Sequence, residues 1–502
     1  MEISSGKVFL VGGGPGDPGL LTLRGAECLA RADVVLYDYL VNPHVLGHVR
    51  EGAELVCLGR HGRDRIMSQD EVNAAMIRHT LAGKNVVRLK GGDPIVFARI
   101  SEEIAALEGA GVPYEIVPGV TAALAVGSYA GIPLTQGDAA SAVALVTGHE
   151  RDDKQQSALD YRALAAFPGT LVFYMGVTTA ERWTAELIDA GKLADTPAAI
   201  IRRVSLADQQ TIRCTLGTVA ETIRERKLRP PALVIVGQVA AAATVHDWFS
   251  ERPLFGRRVL VTRAAHQAPE LVKMLSERGA GVINQPAIEI GPPDDWGPVD
   301  AALNRLDQFD WLVFSSANGV RSFLDRLLTG RDLRALGSIK LAAIGPGSAE
   351  ELARYHLRAD IVPEEYRAES LAGALVGEAS AGRRFLLVRA SRGREVLAEQ
   401  LRAAGGQVEQ VVVYTNRDVA TADPQVAELL SAGKIDWITV TSSAIARSLV
   451  KLFGDELRRA RLVSISPITT ATLAELGHNV AAEAQQYTMA GVVAALLAAD
   501  SR

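Results

Sequence analysis

Short runs of β-branched and apolar residues recur along the chain at Lys7–Val11, Val34–Leu36, Val86–Leu89, Ala142–Val146 and Leu171–Tyr174. Amphipathic stretches fill many of the gaps between them. This alternation predicts α/β architecture, with strands feeding helices that pack back on a sheet. A further strand is predicted within Pro230–Val236, followed by an alanine-rich stretch to Trp248. The polar, proline-bearing segment Ser250–Gly256 then leads into a new strand at Arg258–Arg263. The main domain boundary is therefore expected at about 250, giving domains of about 1–250 and 251–502.

The second half repeats itself. Arg257-Arg-Val-Leu-Val-Thr-Arg-Ala264 echoes Arg383-Arg-Phe-Leu-Leu-Val-Arg-Ala390, and Asp310-Trp-Leu-Val-Phe-Ser-Ser316 echoes Asp436-Trp-Ile-Thr-Val-Thr-Ser442 at the same offset. Leu341-Ala-Ala-Ile-Gly-Pro346 echoes Leu462-Val-Ser-Ile-Ser-Pro467 at nearly that offset. Three matched blocks in one order predict two similar α/β lobes. Lobe one is expected at about 256–287 plus 416–502, and lobe two at about 288–415. Their strands should end in hydroxyl-rich turns at helix N-termini, where unpaired N–H groups and the helix dipole favour anions. A single hydroxyl in such a place reads as a helix cap. Two matched clusters, Ser315 with Ser316 and Thr441 with Ser442, read as substrate-binding.

Composition narrows the class. At 502 residues, 48% hydrophobic and 22% charged, the chain has an ordinary globular make-up and is too long for one core. A net charge of −5 argues against a nucleic-acid-coating protein. Cys28, Cys57 and Cys214 form no CxxC pair, and the histidines lack ligand spacing, so neither a disulfide framework nor a metal site is expected. No apolar run is long enough for a membrane span, and Met1 leads almost directly into a strand without a signal pattern. The protein is expected in the cytoplasm.

The first predicted strand runs into Gly12-Gly-Gly-Pro-Gly-Asp-Pro-Gly19, with a helix expected to begin near Leu20. Gly14-x-Gly16-x-x-Gly19, with Asp38 ending the second strand, fits a dinucleotide fingerprint and makes a nicotinamide-dependent oxidoreductase one reading. Pro15 and Pro18 weigh against it, because a pyrophosphate cradle needs backbone donors that proline lacks.

Further blocks follow: Val87-Arg-Leu-Lys-Gly-Gly-Asp-Pro94, Val117-Pro-Gly-Val-Thr-Ala-Ala123, Ala130-Gly-Ile-Pro-Leu-Thr135, Val146-Thr-Gly-His149, Leu171-Val-Phe-Tyr-Met-Gly176 and Pro231-Ala-Leu-Val-Ile-Val-Gly237. With the opening loop and Tyr37-Asp38, they make the first 240 or so residues resemble the tetrapyrrole methylases, specifically uroporphyrinogen-III C-methyltransferase. The resemblance implies two α/β subdomains with S-adenosylmethionine in the cleft between them. It implies cofactor contacts at Pro15, Gly91, Gly92, Asp93, Val96, Thr121, Ala122 and Met175. It also implies a homodimer through this half.

Asp38 stands at the family's proton-acceptor position. Arg60 stands where relatives usually carry a lysine proposed as proton donor; arginine stays protonated and suits a carboxylate clamp better. Arg63 and Arg65 extend that basic run toward a polycarboxylate substrate. The sequence departs from the family at Tyr39, Arg60, Ala98, Ile100, Ser101, Gln136 and Val204, more on the substrate side than on the cofactor side.

The second half resembles uroporphyrinogen-III synthase through Leu254-Phe-Gly-x-x-Val-Leu-Val-Thr-Arg263, Phe314-Ser-Ser-Ala-Asn-Gly-Val320, Ile344-Gly-Pro346 and Val413-Tyr414. That family cyclises linear hydroxymethylbilane to uroporphyrinogen III, inverting one ring and losing water. Two crossing segments, near Pro286–Ile290 and Val411–Asn416, would join the lobes, and Tyr414 is the candidate to assist departure of the hydroxyl. Taken together, the resemblances imply a bifunctional enzyme that makes uroporphyrinogen III and methylates it twice to precorrin-2. A methyltransferase fused to a non-catalytic tetrapyrrole-binding module stays open beside it.

Overall fold

The computed structural model describes residues 6–59, 66–150, 157–241, 247–393 and 395–500. The chain forms two compact units: Met1–Val259 with Val272–Val282, and Leu260–Leu271 with Ile283–Arg502.

The first unit opens on a parallel sheet of β1 (Val8–Gly12), β2 (Val34–Tyr37), β3 (Glu54–Cys57), β4 (Val86–Lys90) and β5 (Tyr114–Val117), in the order β3-β2-β4-β1-β5. Its central strands β1, β2 and β4 are buried without strict alternation because both faces are covered, while the edge strand β3 is largely exposed. Leu10, Leu36 and Val86 pack into one core, while Val11, Val35, Val87 and Leu89 pack into the other. The first helix spans Leu23–Arg31, capped by the Thr22 hydroxyl. It starts three residues later than the glycine pattern suggested, because Pro18–Leu20 makes a short turn capped by Asp17.

A second, mixed sheet comprises β6 (Val143–Thr147), β7 (Thr170–Tyr174), β8 (Pro197–Arg202), β9 (Gln210–Thr215) and β10 (Ala232–Val236), in the order β6-β7-β10-β8-β9. Only β6 and β7 are parallel neighbours. Along β8 the period of two is visible, with Ala198 and Ile200 on one face and Ala199 and Ile201 on the other.

The C-terminal half contains β11 (Arg258–Val261), β12 (Gly281–Asn284), β13 (Ile288–Gly291), β14 (Trp311–Phe314), β15 (Lys340–Ala343), β16 (Arg384–Ala390), β17 (Gln407–Asp418), β18 (Trp437–Val440), β19 (Arg461–Ser464) and β20 (Ala482–Glu483). They form two sheets, β12-β11-β18-β19-β20 and β13-β17-β16-β14-β15. The repeat explains the orders: β11 matches β16, β12 matches β17, β18 matches β14 and β19 matches β15. Each sheet therefore takes one strand pair from each copy of the repeat.

The likeness extends to side chains. Trp311 donates to Glu378 at 3.2 Å with Lys340 against its ring, and Trp437 donates to Asp500 at 2.9 Å with Arg461 against its ring. The two crossing segments pair with each other: β13 runs antiparallel to the end of β17, from Ile288 opposite Asp418 to Gly291 opposite Thr415.

Candidate active sites

In the first sheet the chain leaves β1 and β4 in directions that cross, so the crevice beyond their carboxyl ends is the natural ligand site of an open α/β sheet. Pro15, Asp38, Gly91–Asp93 and Thr121 all follow strand ends there. The backbones cross closely: a Cβ on Gly119 would lie 2.3 Å from the Gly92 carbonyl oxygen, and one on Gly12 would lie 2.6 Å from Gly119. Gly14 and Gly92 pair as an isolated bridge, and Gly92 has φ +71°, which favours glycine.

The opening loop spends its donors internally. Gly13 N–H reaches Lys90 O at 2.7 Å, Gly14 N–H reaches Gly92 O at 3.2 Å, Asp17 N–H reaches Ser205 Oγ at 2.9 Å, and Gly19 N–H reaches Asp17 Oδ1 at 2.8 Å. A pyrophosphate cradle needs those same groups, so the fingerprint does not act as one. Pro15 lies half-buried beside them.

Asp93 is a structural clasp: Oδ1 accepts from Ile95 N–H at 2.8 Å and Oδ2 from Gly119 N–H at 3.0 Å. It ties the turn after β4, which carries Val96, to the turn after β5. Thr121 Oγ1 lies 2.6 Å from the Tyr174 hydroxyl, which also accepts from Ala123 N–H at 2.9 Å. This residue, missed in the sequence although it adjoins Met175, joins the two sheets. Burial pushes its phenol up, with Thr121 and Ala123 opposing. Ala122 begins the helix Ala122–Tyr129.

Around these turns Leu40, Ile95, Phe97, Leu124 and Met175 are exposed, and Phe97 rests 5.1 Å from the Tyr174 ring. Exposed apolar groups gathered at strand ends mark a ligand surface. Phe97 and Met175 have φ of 51° and 52°, strain of the kind that gathers at functional sites. The exposed groups form an apolar shelf beside Gly91 and Gly92, which carry no side chain.

Asp38 follows β2. Its Oδ1 lies 2.7 Å from Arg88 Nη2, and the side chain is 30% exposed. Arg88 Nε reaches Glu103 Oε1 at 3.1 Å, and Lys90 Nζ spans both Glu103 oxygens at 2.7 and 2.8 Å. Arg88, Lys90 and Glu103 are buried, and burial followed by the Arg88 charge pushes the Lys90 ammonium down against Glu103. Arg60, Arg63 and Arg65 lie outside the described residues.

In the C-terminal half, Tyr414 is buried on β17 with its hydroxyl 3.0 Å from Ser316 Oγ. Burial pushes its phenol up, with Ser316 and Asn318 opposing. Ser316 caps the helix Ala317–Leu328, Ser442 caps Ser443–Phe453, and both have φ −168°. Ser315 Oγ donates to Val388 O at 3.1 Å, and Thr441 is half-buried beside Ser442. Both serines thus cap helices, and Ser316 also meets the Tyr414 hydroxyl. Gln267 Nε2 donates to Asn318 Oδ1 at 2.7 Å, linking the turn after β11 to the helix after β14. A cleft of about 290 Å³ lies at the crossing, lined by Ala264–His266, Gln285, Pro286, Ile288–Ile290 and Val419.

Among the described residues, no group of three or more His, Cys, Asp or Glu side chains is placed to hold a metal ion, and no helix is long and apolar enough to cross a membrane. Residues 7–220 match a family model described as Tetrapyrrole (Corrin/Porphyrin) Methylases, and residues 256–494 one described as Uroporphyrinogen-III synthase HemD. The chain is 32% identical over 497 residues to the Ruminiclostridium josui protein named Porphyrin biosynthesis protein HemD, spanning 99% of this chain and 96% of that one. It is 36% identical over 353 residues to a Bacillus subtilis Uroporphyrinogen-III C-methyltransferase, covering 70% of this chain and 72% of the relative. It is also 43% identical over 252 residues to a Methanosarcina barkeri S-adenosyl-L-methionine-dependent uroporphyrinogen III methyltransferase, covering 50% of this chain and 98% of the other.

Proposed function

The chain belongs to the family that joins a tetrapyrrole methylase to a uroporphyrinogen-III synthase in one polypeptide, and on that premise we propose how its residues divide the work. It is a bifunctional tetrapyrrole enzyme that forms uroporphyrinogen III and methylates it with S-adenosylmethionine. The single observation that carries the reading is that both matched regions fall within one alignment spanning 99% of this chain and 96% of a single relative.

S-adenosylmethionine supplies a methyl group already activated on a sulfonium, so the first half has mainly to align, desolvate and accept a proton. Gly91, Gly92, Val96, Thr121, Ala122 and Met175, with Pro15 behind them, would hold the cofactor, while Asp93 fixes the two turns that shape its seat. Asp38, the partly exposed member of an otherwise buried charge network, would accept the proton lost by the macrocycle. Arg60, Arg63 and Arg65 would clamp substrate carboxylates. Two successive transfers would give precorrin-2.

In the second half the cleft at the crossing strands would hold hydroxymethylbilane, with Ser315, Ser316, Thr441 and Ser442 beside its anionic groups. Tyr414 would assist departure of the terminal hydroxyl, which leaves as water while the new ring-closing carbon–carbon bond forms. The proposal includes a boundary near 250, a homodimer through the first half and residence in the cytoplasm.

The test supplies hydroxymethylbilane with and without S-adenosylmethionine and identifies the macrocycles. Type III uroporphyrinogen without the cofactor, and its dimethylated product with it, are expected. Only the type I isomer from the full chain would reduce the second half to a binding module.

A further inference from the structure

The repeat places two arginines at equivalent positions, Arg263 after β11 and Arg389 near the end of β16, and the fold treats them differently. Arg389 is neutralised and satisfied: it pairs with the Glu395 carboxylate, donates to Gln410 Oε1 at 2.9 Å and donates to the Gly393 and Ala390 carbonyls. Arg263 is half-buried, and among the described residues its guanidinium bonds the Met489 thioether and Gln267 Oε1, the latter at 3.3 Å. It forms an ion pair with no carboxylate among the described residues. Burial pushes it down, with the Glu270 charge opposing. Arginine nevertheless stays charged in proteins, so this position keeps a poorly compensated cation, a costly arrangement unless an anion completes it.

Its surroundings say where that anion would come from. Gln267, bonded to Arg263, also bonds Asn318, whose side chain lies against the Tyr414 hydroxyl. The next residues, Ala264–His266, line the cleft at the crossing strands. Two amides thus connect the unpaired guanidinium to the candidate phenol.

We propose that Arg263 is a substrate anchor of the cyclisation site, binding one carboxylate side chain of the linear tetrapyrrole through its guanidinium fork. The inference rests on the synthase reading above. A bidentate guanidinium–carboxylate pair fixes orientation as well as position, and orientation of the flexible substrate decides which ring carbon closes.

The experiment uses the full chain and the variant Arg263→Met, which keeps an unbranched apolar stem and removes the charge and the fork. Removing an uncompensated cation should leave the melting temperature unchanged or raise it. The KM for hydroxymethylbilane should rise about tenfold, with more type I product, and Arg263→Lys should recover part of the loss. Methylation of uroporphyrinogen III supplied directly should be unaffected. A variant with wild-type KM and isomer ratio overturns the anchor. So does one that fails to fold or melts well below wild type, because the arginine would then be structural. Failure of the wild-type chain itself to make type III product would instead sink the synthase reading.

Discussion

Arg88 Nη2 holds Asp38 Oδ1 at 2.7 Å, and this is where a buried charge network opens to the cleft. Two cations, Arg88 and Lys90, share Glu103 behind Asp38, so the four formal charges balance only when Asp38 is counted. The guanidinium fixes the carboxylate's orientation. If Asp38 is the base, Asp38→Asn keeps the shape and a hydrogen-bond acceptor but loses the basicity. Turnover should fall by about 10²–10⁴-fold with cofactor affinity nearly unchanged. Steady-state kinetics with uroporphyrinogen III decide it, and near-normal turnover ends the assignment.

Glu103 is fully buried and receives both cations. Glu103→Gln keeps the volume yet leaves Arg88 and Lys90 without their shared counter-charge. Removing one member of a buried ion group costs about 3–5 kcal/mol. Denaturant unfolding of the full chain should show a loss of that order in a transition assigned to the first half. A loss below about 1 kcal/mol would mean that water already reaches the network.

Among the described residues the Asp93 side chain bonds only within its own two turns, holding the Ile95 and Gly119 N–H groups. Its effect on the cofactor is therefore expected to run through the shape of the seat. Asp93→Ala should weaken S-adenosylmethionine binding by about 1–3 kcal/mol, with cyclisation by the second half untouched. Calorimetry with unchanged affinity would remove Asp93 from the site.

Much of this was legible in the chain because its signals are local or repeated. The apolar runs mark strands, and the 126-residue offset foretells that β11 and β16, and β14 and β18, are alike. The glycine loop misleads for a physical reason: its spacing fits a dinucleotide, but Lys90, Gly92 and Ser205 take its amides, and those partners are distant in sequence. Glu103 and Tyr174 were missed on the same ground. Each acts by meeting residues from another element, and neither belongs to a spacing pattern. Ser316 and Ser442 do cap their helices, and that is the part of their role a single element can show.

Every strand from β11 to β20 begins after residue 257, and both C-terminal sheets are complete within them. A fragment starting at about 252 should fold and yield the type III isomer without cofactor. Circular dichroism and product analysis check it. An insoluble fragment, or one giving only type I product while the full chain gives type III, would show that the halves depend on each other.

Tyr414 joins stability to chemistry. Burial raises its phenol above the ordinary value near 10, so it stays protonated and able to donate throughout the neutral range. Folding favours the protonated form. The stability this contributes is therefore fully present below the unfolded value and is lost as pH rises through the higher folded one. Tyr414→Phe removes that loss along with the bond to Ser316, worth about 1 kcal/mol. The variant should be slightly less stable at pH 7, and its stability should decline less steeply than wild type above about pH 10. If the phenol assists departure of the hydroxyl, type III formation should also slow by about 10²-fold, with a flat rate profile in wild type across the neutral range. Normal cyclisation by Tyr414→Phe, alongside the altered alkaline unfolding, would leave Tyr414 as packing between the crossing strand and the helix that Ser316 caps.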